Sequence, residues 1–386
     1  MGVWDELTGQ AEAVEIFSAA AGAGNLGSSM THSWLVTGPP GSGRSNIAYA
    51  FAAALLSTGD DDVATERQVA ARTHPDLGVL ATERVIISID EVRQLVTTSQ
   101  FSPSVGRYRV MIIEDADRMT ERTSNVLLKA LEEPPPRTVW ILCAPSEADL
   151  IPTIRSRVRS VRLRVPRVAD VAALISRRDA VDIATATRAA REAQSHIGMA
   201  HRLATNADAR SRRDQTLRIA LEIRSVSDAV RAAGTLLALA GDDAKAITAE
   251  RDAEERAGAM RSLGVEPGGT IPPALRAQLK TLEEDQKRRA TRSLRDGLDR
   301  IMVDLLSLYR DVLLLQLGAT TELINLSIHD ELLRASENSS AAGTIAIMDA
   351  IGTARQRIES NVAPALALEA MLISVAKSRP HTEFAR

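Results

Sequence analysis

The chain has 386 residues, 45% hydrophobic and 25% charged, with a formal net charge of −3. That length supports about two or three domains, and near neutrality leaves no molecule-wide field that would draw in nucleic acid or membrane. A single cysteine, Cys143, excludes a disulfide framework and a cysteine zinc cluster and fits a reducing cytoplasm.

The opening MGVWDELTGQ lacks the basic and apolar regions of a secretory signal. The longest apolar run, 47–56, is far short of the ~20 residues of a membrane span, so the expectation is a soluble cytoplasmic protein. Through about residue 165 strand-like and helix-like segments alternate, the pattern of a parallel α/β sheet. SWLVT (33–37) is a short apolar strand ending in Gly-Pro-Pro-Gly, and 47–56 follows as an apolar helix. Residues 84–89 read as a β-branched strand. Ser88 and Glu91 then have capping-box spacing ahead of a helical face of Val92, Leu95 and Val96. VMII (110–113) is apolar on every side chain, as in a strand covered on both faces. SNVLLKALEE (124–133) is an amphipathic helix stopped by three prolines. Residues 139–143 form another buried strand. Val161, Leu163 and Val165 alternate with Arg162 and Arg164 as a half-exposed last strand.

After Pro166 the strand pattern stops. Residues 168–206 read as short helices and those from about 208 as long ones, interrupted by a Pro/Gly-rich loop at 263–273. The charge-dense stretch 281–300 reads as a solvated helix face. Residues 301–317 and 365–375 are apolar enough to be buried in a bundle.

TGPPGSGRSN (37–46) has the spacing of a phosphate-binding loop, G-x-x-x-x-G-K-[ST], with Arg44 at the lysine position. It follows a strand and opens a helix. Gly38, Gly41, Ser42 and Gly43 could turn backbone N–H groups inward as an anion nest, and Ser45 stands where a hydroxyl would meet Mg²⁺. A glycine-rich turn without ligand is the alternative. A planar guanidinium does not replace a compact ammonium freely, so Arg44 puts catalysis through this position in doubt. At the carboxyl end of the 110–113 strand stand Glu114, Asp115 and Asp117, where open α/β sheets bind ligands. Glu114 and Asp115 reverse the usual order of metal-binding and water-polarising acids, and Asp117 reads as a solvated loop acid.

The stretch from Arg107 to Leu163, with SNVLLKALEEPP and TIRSR, resembles the ATPase module of bacterial DNA polymerase III clamp-loader subunits. LTGQ (7–10) and THPD (73–76) match as well, and ARQRIESNVAPALALEAMLI is similar to the family's C-terminal oligomerisation segment. The resemblance covers about 1–205 and, more weakly, 340–376. It points to the delta-prime branch, of actinobacterial type on its Ala/Arg-rich composition. It implies an α/β plus all-α protein: an AAA+ P-loop domain at 1–166, a helical lid at 167–207 and a helical collar at 208–386. ATP or ADP, with Mg²⁺ if bound, is the nucleotide implied.

The resemblance also assigns roles. The residue that senses the γ-phosphate is missing, since Ala144 and Pro145 stand there without side-chain donors. In the lid, Gly198-Met199-Ala200-His201 takes the place of Gly-x-x-Arg, so His201, with Arg202 beside it, replaces the sensor arginine. A largely uncharged histidine compensates phosphate charge poorly. Ser156-Arg157 matches the arginine-finger motif, with Val158 in place of its cysteine. A local basic patch of Arg155, Arg157 and Arg159 is the alternative, while Arg162, Arg164 and Arg167 read as surface charges. The four-cysteine zinc module of many relatives has no counterpart in 57–72, so no zinc is expected, and His74 reads as a capping or packing residue.

The expectation is therefore a stator subunit with little or no ATP hydrolysis of its own. It would assemble with gamma/tau motor and delta subunits, and meet the sliding clamp and primer–template DNA through that complex, away from membranes. No segment reads as a polymerase or nuclease site. An ATP-hydrolysing motor subunit and a stand-alone DNA-binding module are the rival readings.

Overall fold

The computed structural model describes residues 4, 7–23, 30–57, 59, 62–82, 85–262 and 273–378. It divides into two compact units, Met1–Thr205 and Asn206–Arg386.

The first unit is built on five parallel strands: β1 (Ser33–Thr37), β2 (Leu77–Leu80), β3 (Arg109–Ile113), β4 (Thr138–Ala144) and β5 (Arg159–Arg162). Their order is β2-β3-β4-β1-β5. Every residue of β1, β3 and β4 is buried, because helices cover both faces and neighbouring side chains point opposite ways. One face carries Trp34, Val36, Val110, Ile112, Ile141 and Cys143 against the helix Arg44–Leu56. Phe17, Trp34 and Phe51 pack there with ring centroids 4.7–5.4 Å apart. The other face carries Leu35, Met111, Ile113, Trp140 and Leu142 under the helices Ile89–Ser99 and Glu121–Glu132.

The Ser88 capping box forms as expected. Its hydroxyl accepts the Glu91 N–H, and the Glu91 carboxylate accepts the Ser88 N–H at 2.8 Å. Residues 84–89 do not form a strand: Arg84 lies outside the described residues, Ile87 makes one isolated bridge to Met119, and Ile89 already starts the helix. β2, one of the two edge strands, is short and contains Gly78. A Cβ there would come within 2.3 Å of the Met111 terminal methyl, so a larger residue would have to push that flexible side chain aside. Val161 and Leu163 are buried as the alternation demands, but Val165 lies beyond β5 and is 59% exposed.

Three short helices, Val168–Asp179, Ile183–Glu192 and Ile197–Thr205, complete this unit. The elements of the second unit among the described residues are all helices, with two long members, Val226–Ser262 and Pro273–Gln316. Leu298, Met302, Leu305, Leu308 and Val312 form its core with Leu368, Met371, Leu372 and Val375. The expected α/β plus all-α class holds, with an α/β domain on a parallel sheet followed by a helical region. The expected loop at 263–273 lies outside the described residues except for Pro273, which begins a helix.

The stretch 281–300 is only partly a solvated face. Lys287 and Arg288 are exposed, but Arg289 is buried and paired with Asp252 and Glu255 of the adjoining long helix. Gln286 donates to the Asp252 carbonyl at 3.0 Å. Only helix-to-helix pairing distinguishes this face from a solvated one, and the charge pattern of one helix does not contain it.

Candidate phosphate pocket and surface arginine

The loop after β1 sits between β4 and β5, where the strand order reverses and ligands bind open α/β sheets. Gly41 and Gly43 have φ of 78° and 92°, a left-handed conformation that turns successive N–H groups to one side. Gly43 is the N-cap of the helix Arg44–Leu56 and offers no side-chain acceptor, so the helix's first N–H groups remain available to an anion. The buried Ser42 hydroxyl has no hydrogen-bond partner. The loop's ends are tied: Gly38 N–H donates to the Pro145 carbonyl at 3.2 Å and Leu163 N–H to the Thr37 carbonyl at 2.7 Å. The Arg44 guanidinium folds back and donates to the Gly38 carbonyl, joining the last turn of the loop to its first residue. Cys143 lies beneath, its thiol pushed up to about 12 by burial and therefore inert.

Beside the loop, the Glu114 carboxylate is fully engaged. Ser45 donates to Oε2 at 3.1 Å and the Tyr49 hydroxyl to Oε1 at 2.5 Å. The Arg72 guanidinium reaches Oε1 at 2.7 Å and lies over the Tyr49 ring, 5.3 Å from its centroid. Burial, then Glu114, raises the Tyr49 pKa, so the phenol keeps its proton and remains a donor. Asp115 pairs with Arg118 at 3.5 Å. Asp117 is not a solvated loop acid. One of its oxygens is buried without a partner, and burial followed by the nearby Asp115 charge raises its pKa.

Ala144 is fully buried and Pro145 meets the loop only through its carbonyl, so no side-chain donor enters from the end of β4. In the helix Ile197–Thr205, His201 pairs with Asp179 at 2.7 Å, and Arg202 follows it, half-buried. The Asp179 carboxyl is held below its usual range by Arg178 first and by His201 after. The histidine against the loop is His196. Its ring lies where a Cβ on Gly41 would fall, 2.2 Å from that position, and Ile197 N–H donates to the Gly41 carbonyl at 3.3 Å.

Arg157 lies well away in the chain, on the turn between the short helix Pro152–Arg155 and β5. Its Nε donates to Glu132 Oε1 at 2.6 Å, and its NH1 to the Thr153 carbonyl at 2.7 Å and Ser156 Oγ at 3.0 Å. The side chain remains one-third exposed. Arg155 and Arg159 are exposed beside it, as are Arg162, Arg164 and Arg167.

Sequence reasoning missed four residues of the pocket. Arg72 and Tyr49 complete the Glu114 cluster, and His196 lies on the loop. Gln10 ties the loop to the exit of β5: its amide donates to the Ser42 and Arg164 carbonyls at 3.1 and 2.8 Å and accepts the Arg164 N–H at 3.1 Å. LTGQ was the one available signal, for Gln10. His74 caps its own turn, its Nδ1 accepting the Asp76 N–H at 3.1 Å.

Residues 9–167 match the family described as DNA polymerase III, delta subunit. The chain is 36% identical over 134 residues to DNA polymerase III subunit delta' of Pseudomonas aeruginosa, covering 33% of this chain and 41% of the relative. It is 32% identical over 143 residues to the delta' subunit of Escherichia coli K12, covering 35% and 43%. DNA polymerase III subunit gamma/tau of Mycobacterium tuberculosis H37Rv is 28% identical over 179 residues, covering 45% of this chain and 30% of that one. The aligned stretch thus spans about two fifths of the delta' relatives' own length.

Proposed function

We propose that this chain is the stator of a DNA polymerase III clamp loader, a reading supported by the family match over residues 9–167 and the similarity to delta' subunits. It scaffolds the assembly with gamma/tau and delta subunits, through which it meets the sliding clamp and primed DNA. Its own pocket turns over little or no ATP, and Arg157 serves the nucleotide of the adjacent motor subunit.

The observation that carries this reading is the state of Glu114. A hydrolytic pocket needs a free carboxylate beside the loop to hold a metal or polarise water. Here both carboxylate oxygens accept bonds from Ser45, Tyr49 and Arg72. Mg²⁺ requires near-octahedral oxygen ligands, and the hydroxyl and carboxylate that would supply two of them are bonded to each other, with a cation against the carboxylate. The residues present do not fit Mg²⁺. The loop still offers its N–H groups and the Arg44 and Arg72 cations to a phosphate chain. Arg157 needs none of this, since a finger acts by placing a planar cation on charge developing in a neighbouring site.

The test is reconstitution with the motor and delta subunits, the clamp and primed DNA. Arg157→Ala is expected to remove turnover at the one adjoining site, a loss of about 10³-fold or more there, read as a missing phase in single-turnover phosphate release. Unchanged kinetics would overturn the finger assignment. The motor reading predicts steady ATP turnover by the chain itself, abolished by Glu114→Gln with Asp115→Asn. The DNA-binding reading predicts salt-sensitive binding to primer–template without partners.

A further inference from the structure

Arg72 closes the helix Val63–Ala70 from an unusual backbone position. Its φ is 58°, a left-handed conformation more often given to glycine or asparagine. From there the guanidinium crosses the Tyr49 ring and ends 2.7 Å from Glu114, the acid that Ser45 also meets. A cation beside the loop's hydroxyl and the strand-end acid is the station a divalent metal would hold. In this chain the station belongs to a covalently attached cation.

We propose that Arg72 takes the metal's place, so that the pocket accepts the phosphate chain of a nucleoside diphosphate or triphosphate as the free anion, without Mg²⁺. The rest of the pocket is arranged for that ligand. Gly41 and Gly43 present the anion nest, and Gly43 leaves the helix N-terminus uncapped. The Ser42 hydroxyl is 97% buried within the loop and has no partner. It lies 2.7 Å from where a Cβ on Gly38 would stand, beside Leu163. A metal entering between Ser45 and Glu114 would have to break their bond and face the Arg72 charge. A phosphate oxygen gains from the same charge and has to displace nothing from Ser45. Glu114 acts here as a positioning residue that holds Arg72 over the pocket.

This inference rests on the reading of a non-hydrolysing pocket, and the experiment separates the two. The full-length chain is titrated with methylanthraniloyl-ADP, once in EDTA and once in excess Mg²⁺. The expected result is binding in EDTA that weakens in excess Mg²⁺, because the metal ties up the free diphosphate the pocket accepts. Arg72→Gly, which removes the cation and relaxes the backbone, should weaken binding in EDTA about tenfold or more, the worth of one charged hydrogen bond. With Glu114 released, that variant should regain affinity when Mg²⁺ is added. Arg72→Lys keeps the charge and should bind in EDTA, which separates loss of the cation from loss of the fold. Wild-type binding that needs Mg²⁺, an Arg72→Gly variant that binds like wild type, or no binding in either buffer overturns the proposal. Sustained ATP turnover by the wild-type chain would instead overturn the stator reading, whichever buffer supports binding.

Discussion

Asp76, the last residue of THPD, is fully buried and accepts N–H groups from Ser104, Val105 and Gly106 at 2.6–2.7 Å. Arg109 at the head of β3 pairs with it at 3.1 Å. Burial alone would raise its pKa, but the donors from Gly106, Ser104 and Val105 overcome that and lower it from 3.8 to about 2. The unfolded chain therefore binds the proton first as pH falls. The carboxylate's contribution, about 2 kcal/mol, is whole above pH 4 and disappears as pH drops through about 2. Asp76→Asn should cost about 3 kcal/mol at neutral pH, since it leaves Arg109 buried without its counter-charge. Urea unfolding at neutral and acid pH checks this: the gap between variant and wild type should narrow on the acid side. Equal gaps at both pH values would mean that the carboxylate's ionisation is not what holds the 104–106 loop. The match of THPD to the family flagged the segment, but its bonding partners lie about 30 residues on, out of reach of any local pattern.

At the scale of elements, the two long helices Val226–Ser262 and Pro273–Gln316 are joined by polar contacts as well as by a core. Arg289 holds Asp252 and Glu255 together, and Arg300 reaches Asp243 at 3.3 Å. Arg289→Met keeps the apolar stem and removes the charge. Its expected cost is about 2–3 kcal/mol, below that of a fully buried broken pair because both acids are about a quarter exposed. A double-mutant cycle with Asp252→Asn measures the coupling, and a coupling near zero would return this face to the solvated reading. Where a helix begins was legible from strong local chemistry at Ser88 and Glu91. Where a strand forms was not legible at β2, because four residues that include a glycine carry almost no periodic signal.

For the whole molecule, each compact unit carries its own apolar core. Leu305 is fully buried in the second, and Leu305→Ala should cost about 2–5 kcal/mol through lost contacts and the cavity left behind. Calorimetry should show that loss in the heat signal of the helical unit. An unchanged thermogram would mean that this cluster does not hold the unit together. The sequence contains both cores in outline: the apolar runs at 33–37, 110–113 and 139–143 and the helical runs at 301–317 and 365–375 all lie where the structure buries them. Leu317, just past its helix, and Leu366, on the outer face of its own, are exceptions at 64% and 62% exposed.

What the sequence by itself determined is what short-range chemistry can encode. Glycines, prolines, capping pairs and fully apolar strands placed the phosphate loop at the end of β1 and the acids at the end of β3, and the family motifs singled out Arg157. Tertiary structure alone decided how those acids are used. Glu114 is bonded through Ser45, Tyr49 and Arg72, which lie 69, 65 and 42 residues away, and His196 reaches Gly41 from a turn far along the chain. Whether a carboxylate is free to hold a metal or already holds an arginine depends on which distant side chains the sheet order brings to its carboxyl edge. A pattern read along one segment contains no such distance.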